Sequence, residues 1–165
     1  MGRPFLNAHQ RKLKAAYIGM LQDMPKETTY AITLQTHSKN IKDLPETIDA
    51  RRQYFDRLLS IWDRKLCREF IGPNYRRNSK RTERQSGFAF PEKFDESPHY
   101  HLIIDIKQWD PEAYKTFAEE FWIELWEPAT VDIQQRYKSK WEGYLMKDWN
   151  PLDAYSWIPI PYVQK

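Results

Sequence analysis

Pro98-His99-Tyr100-His101-Leu102-Ile103-Ile104-Asp105-Ile106 is the stretch whose reading decides the fold. From its proline it runs through aromatic and β-branched residues to the polar pair Lys107-Gln108, the profile of a buried β-strand. Successive strand side chains point to opposite faces, so His99, His101, Ile103 and Asp105 share one face and Tyr100, Leu102, Ile104 and Ile106 the other. Two imidazoles therefore stand side by side on a rigid element, a beginning for a divalent-metal site. Most histidines on strands are hydrogen-bonded structural residues, so the pair gains meaning only from what joins it.

Outward from this strand, Gly87-Phe88-Ala89-Phe90-Pro91-Glu92 reads as a second short strand, turned by Asp95-Glu96-Ser97-Pro98 into the first. So short a link makes the two antiparallel neighbours. Glu92 can then bring its carboxylate to the histidine face. Asp95, Glu96 and Asp105 compete for that place, and Glu92 is preferred because it ends a strand while Asp95 and Glu96 sit in the turn. Two neutral imidazoles and one carboxylate leave coordination positions open for water and a phosphate oxygen.

Further upstream, Thr28-Thr29-Tyr30-Ala31-Ile32-Thr33-Leu34-Gln35-Thr36 alternates as a half-buried strand does, with Tyr30, Ile32 and Leu34 on one face and Ala31, Thr33 and Gln35 on the other. Residues 7–24 predict a helix capped by Asn7, and Thr47 caps a second over 48–71 that Gly72-Pro73 ends. The polar segment 73–86 predicts a mobile basic loop. Downstream, Asp110 and Pro111 open a helix with Tyr114, Phe117, Ala118, Phe121 and Leu125 as its buried stripe. Thr130-Val131-Asp132-Ile133-Gln134 predicts another strand and 138–148 an amphipathic helix. The proline-rich tail from 150 to 165 predicts an extended surface segment. The sum is one α+β domain over 1–165, a central antiparallel sheet with helices packed on one face.

Composition sets bounds on function. The 165 residues carry 26 Lys and Arg against 23 Asp and Glu, a net charge of +3 that by itself selects no partner. The distribution is more telling: Arg76, Arg77, Lys80, Arg81 and Arg84 crowd one segment, and Arg136, Lys138 and Lys140 another. Aromatics form 15% of the chain, enough for a large aromatic core. The single Cys67 excludes an internal disulfide and a multi-cysteine zinc site. With no apolar run long enough for a membrane span and no leader at Met1-Gly2-Arg3-Pro4, the expectation is a soluble protein of the cytoplasm, or the nucleus of a eukaryotic host.

A second chemical element lies in Trp141-Glu142-Gly143-Tyr144-Leu145-Met146-Lys147-Asp148. On a helix Tyr144 and Lys147 are neighbours on one face. A phenol is a poor nucleophile unless its oxyanion is favoured or its target polarised, which a lysine and a metal together can do. Tyr137, followed by Lys138-Ser139-Lys140, repeats the Tyr-x-x-Lys spacing and is the alternative nucleophile, with Tyr144 favoured.

With these three stretches in order, the chain resembles the HUH endonucleases, and among them the rolling-circle replication initiators. Tyr30-Ala31-Ile32-Thr33-Leu34-Gln35-Thr36 is similar to their first motif, with Gln35 interrupting the Thr-Leu-Thr-like core. Pro98 through Ile104 is similar to the second, His-bulky-His before an apolar strand, and Gly143 through Asp148 to the third. The resemblance implies an RRM-like sandwich that nicks and rejoins single-stranded or hairpin origin DNA through a 5′-phosphotyrosine. It further implies Mg²⁺ or Mn²⁺ on His99, His101 and a carboxylate, Tyr144 as nucleophile, and Lys147 at the phosphate. The basic residues Arg76, Arg77, Lys80, Arg81, Arg84, Lys138 and Lys140 are expected along the DNA backbone, with a separate helicase and polymerase as partners. A single-strand transposase of the same superfamily and a non-catalytic DNA-binding protein are the alternatives.

Overall fold

Strand pairing places the histidine segment at the centre of the molecule. The computed structural model describes residues 6–37, 44–135, 145 and 158–161. They form α1 (Ala8–Gln22), β1 (Thr29–Thr36), α2 (Ile48–Ile71), a 3-10 helix (Asn78–Glu83), β2 (Ser86–Glu92), β3 (His99–Asp105), α3 (Pro111–Leu125), β4 (Ala129–Gln135) and β5 (Ile158–Ile160). The five strands make one sheet in the order β4-β1-β3-β2-β5, and every pair is antiparallel. β3 is buried along its whole length, as a central strand covered on both faces must be.

Local chemistry sets the ends of the helices as expected. Asn7 accepts from Gln10 N while the Gln10 side chain accepts from Asn7 N, closing a capping box. Thr47 caps α2 through Ala50 N, and Gly72 ends it at φ 97°, a conformation that glycine adopts without strain. Asp110 caps α3 through Ala113 N with Pro111 in its first turn.

Tyr30, Ile32 and Leu34 of β1 join Tyr100, Leu102 and Ile104 of β3 in the main core, beneath Phe55, Leu59, Trp62 and Leu66 of α2 and Tyr114, Ala118 and Trp122 of α3. Each fully buried Leu or Ile here contributes roughly 1.5–3 kcal/mol of transfer free energy. Trp62 Nε1 donates to Ala118 O at 2.9 Å, satisfying the one polar atom of a ring with no exposed surface.

The α+β class and the antiparallel sheet are as expected, but the helices do not share one face. Leu13, Tyr17, Ile18 and Leu21 of α1 pack with Phe88, Phe90 and Ile103 on the opposite, histidine-bearing face. Leu145, which is helical, is buried in that same cluster. Two further segments depart from expectation. The 73–86 stretch contains the 3-10 helix, and its end is pinned by Gln85, which donates to Asp63 Oδ1 at 2.7 Å and accepts from the Tyr114 hydroxyl at 2.8 Å. The tail supplies edge strand β5, in which Ile158 and Ile160 are buried and Pro159 points out, the edge position proline tolerates.

The Gln85 network is a stability device. Burial and then Asp63 push the Tyr114 hydroxyl well above its ordinary pKa, and the same two causes raise the Cys67 thiol, so both stay protonated donors. Gln85→Leu removes a donor from Asp63 and leaves the Tyr114 hydroxyl unpaired, at an expected cost of about 2 kcal/mol in urea denaturation.

Candidate metal centre

The register of the β2–β3 hairpin seats the carboxylate that the histidines lack. Glu92 pairs directly with His99, and Phe90 with His101. Cross-strand partners share a face, so the Glu92 side chain rises beside both imidazoles. Its Oε2 lies 3.3 Å from His99 Nε2 and 3.6 Å from His101 Nε2, and the two rings sit edge to face with centroids 5.1 Å apart. One ligand atom from each of the three residues falls within 4.8 Å of the other two, a group able to hold a metal ion. The side chains keep only 14%, 11% and 10% of their surface exposed, so the mouth is narrow and the walls protein.

The outer sides of the rings are held as well. His99 Nδ1 lies 2.9 Å from Ser97 O; a carbonyl only accepts, so Nδ1 donates to it and Nε2 is the ring nitrogen turned toward Glu92. His101 Nδ1 lies 3.0 Å from Thr33 Oγ1, and Thr33 is its register partner on β1. Partners of this kind orient ligating imidazoles and raise their basicity. Thr33→Val keeps the shape and deletes the oxygen, and is expected to weaken Mn²⁺ binding roughly 10-fold by isothermal titration, with the melting temperature little changed.

The frame around the hairpin is stiff. Lys93 adopts φ 52°, which turns the chain immediately after Glu92, and Glu96 N and Ser97 N both donate to Lys93 O. Arg51 on α2 binds the turn carbonyls Phe94 O and Asp95 O and also Pro45 O. From the other face of β3, the Tyr100 hydroxyl donates to Asp56 Oδ1 at 2.6 Å, tying the histidine strand to α2.

The competing carboxylates are otherwise engaged. Asp105 shares the histidine face but takes hydrogen bonds from Lys107 Nζ, Lys107 N and the Thr28 hydroxyl. Burial works to raise its pKa, yet these partners outweigh it and hold the carboxyl below its ordinary value. Asp95 and Glu96 are exposed in the turn.

The expected DNA-contacting residues are not gathered here. Arg76, Arg77, Lys80, Arg81 and Arg84 precede β2, whose first residue Ser86 lies about 20 Å along the strand from Glu92 at 3.3 Å per residue. Lys80 pairs with Glu83 at 2.8 Å. Arg84 is half-buried, and its Nε has no hydrogen-bond partner among the described residues. Tyr137, Lys138, Lys140, Tyr144 and Lys147 lie outside the described residues. Sequence reasoning missed Ser97 and Arg51 as supports; Thr33 was visible within a motif, but its role needed the β1–β3 register.

No family model matches the chain, and no curated protein or solved structure matches it either. Among the described residues no helix is long and apolar enough to cross a membrane.

Proposed function

We propose that this chain is a metal-dependent endonuclease and ligase for single-stranded DNA, of the HUH class, that starts rolling-circle replication of a plasmid or virus through a 5′-phosphotyrosine. The observation that carries the reading is the convergence of Glu92 Oε2 with the Nε2 atoms of His99 and His101 on the central strand. Both Nδ1 atoms have outer partners, so the donor set fits a divalent ion such as Mg²⁺ or Mn²⁺. When bound, such an ion supplies Lewis acidity toward a phosphate oxygen.

The chain's own residues take the remaining roles in this reading. Ser97 O and Thr33 Oγ1 hold the imidazoles in place, and the sheet fixes Glu92 against them. Tyr144 attacks phosphorus: its oxygen–phosphorus bond forms as the bond to O3′ breaks, and the released 3′-hydroxyl can prime synthesis. Lys147 offsets charge on the phosphate. Reversal joins ends without ATP, since the phosphotyrosine conserves the ester. Leu145, the residue after Tyr144, is buried with Phe90 and Ile103 on the histidine face, which supports a place for this segment beside the metal centre. Origin DNA is the substrate, with unwinding and synthesis left to a separate helicase and polymerase.

The test is to incubate the full chain with Mn²⁺ and labelled single-stranded oligonucleotides of varied sequence and to look for a covalent adduct. The adduct is expected with the parent and absent in Tyr144→Phe. Persistence in Tyr144→Phe with loss in Tyr137→Phe would move the nucleophile, and no adduct on any substrate would end the enzymatic reading.

A further inference from the structure

A second charged feature lies on the other side of the sheet. Arg64 and Arg68, one helical turn apart on α2, line a groove of about 470 Å³ with Ile61, Lys65, Pro73, Tyr75 and Arg76, and among the described residues no carboxylate lines it. Chain order hides the cluster, because Arg76 reaches it only after the turn at Gly72. Lys65 is neutralised by Glu124 and covered by the Phe121 ring, which leaves three arginines as the net charge. Arg64 spends only Nε, on Ser60 O, and Arg76 only Nε, on the Tyr75 hydroxyl, so their terminal nitrogens have no hydrogen-bond partner among the described residues. Like charges one helical turn apart repel unless a ligand compensates them.

We infer that this groove binds the phosphate backbone of duplex DNA, as a site separate from the metal centre. Guanidinium groups match phosphate geometry in pairs, and a groove whose charged lining is all cationic suits a duplex backbone. Single strands are gripped by stacking on open aromatic faces, but the Tyr75 ring is already covered by Arg76 at 5.6 Å. Because α2 packs on the face of the sheet away from the histidines, DNA held here is not the segment lying over Glu92, His99 and His101. The inference needs no cleavage activity.

The experiment measures anisotropy of a fluorescein-labelled 20-base-pair duplex with the full chain in EDTA between 50 and 200 mM NaCl. A variant carrying Arg64→Gln, Arg68→Gln and Arg76→Gln is expected to bind at least about tenfold more weakly, with the log–log salt slope reduced by about 3. A control with Arg11→Gln, Lys12→Gln and Lys26→Gln removes equal charge and keeps the parent slope to within about 1. Should the triple variant melt early, Arg68→Gln alone, at an exposed position, is expected to reduce the slope by about 1. An unchanged slope, or equal losses in the control, overturns the site. Selective loss of binding to an oligoglutamate peptide, with duplex binding intact, overturns it in favour of an acidic protein.

Discussion

His101→Ala is expected to weaken Mn²⁺ binding at least about 100-fold and to abolish adduct formation, while the chain still folds. The magnitude follows from what one imidazole does. A site of two nitrogens and one carboxylate has no spare protein ligand among the described residues, and deletion of even an outer partner of such a site typically costs 10- to 100-fold. His101 also stands between Thr33 on β1 and Phe90 on β2, so its removal opens the wall of the site as well as the coordination set. His99→Ala is expected to act alike. Glu92→Gln separates charge from position: it keeps an oxygen at the same place and removes the negative charge, and should fall between the parent and the histidine variants. Titration calorimetry with Mn²⁺ reads all three without any assumption about DNA. If His101→Ala binds Mn²⁺ like the parent, the cluster is a hydrogen-bonded structural group and the proposed chemistry loses its centre.

Much of this centre was legible because a strand has a period of two. Alternation alone placed His99 and His101 on one face, and a short turn alone made β2 the antiparallel neighbour that delivers Glu92. Pairings between distant segments were not legible. Nothing local in Thr33 says that β1 lies beside β3, across a separation that includes the whole of α2, and so its contact with His101 came only from the register. The side on which α1 packs was hidden for a similar reason. Of its residues only Leu21 is fully buried, and a weakly amphipathic helix does not announce which face of a sheet it covers. Reading charge by adjacency also misled: the run from Arg76 to Arg84 looked like one basic patch, yet Arg84 turns inward and Arg76 joins Arg64 and Arg68 from another element. The tail reads as an extended surface segment, and its described part is instead edge strand β5 with two side chains buried. Its two buried isoleucines, two positions apart on either side of Pro159, show why an edge strand remained open to it.

Gly87→Ala is expected to destabilise the protein by at least about 3 kcal/mol, among the largest effects a single methyl group can have. Gly87 lies near the start of β2, between Ile104 on β3 and Ile160 on β5. A Cβ built there would stand 1.9 Å from Ile103 O, 2.9 Å from Ile103 C and 3.0 Å from Ile104 Cα. All three are backbone atoms of the central strand, so no side-chain rotation relieves the overlap. β2 must instead move off β3 by more than an ångström, stretching ladder hydrogen bonds whose polar groups are buried. Against a typical total of 5–15 kcal/mol, that loss takes a large share of the stability. Gly19→Ala provides the opposite sign: it lies within α1 with nothing within 4 Å of the new Cβ, and should gain up to about 1 kcal/mol from helix propensity. Urea denaturation of both variants checks the pair, and a Gly87→Ala protein as stable as the parent is incompatible with so close an approach of β2 to β3. The consequence reaches the site, because the same two strands carry Glu92 and His99 as register partners five positions further along β2. Where Gly87→Ala protein stays folded at low temperature, its Mn²⁺ affinity should fall together with its stability, whereas Gln85→Leu, which disturbs the contacts to α2 and α3, should lower stability and leave Mn²⁺ affinity in place.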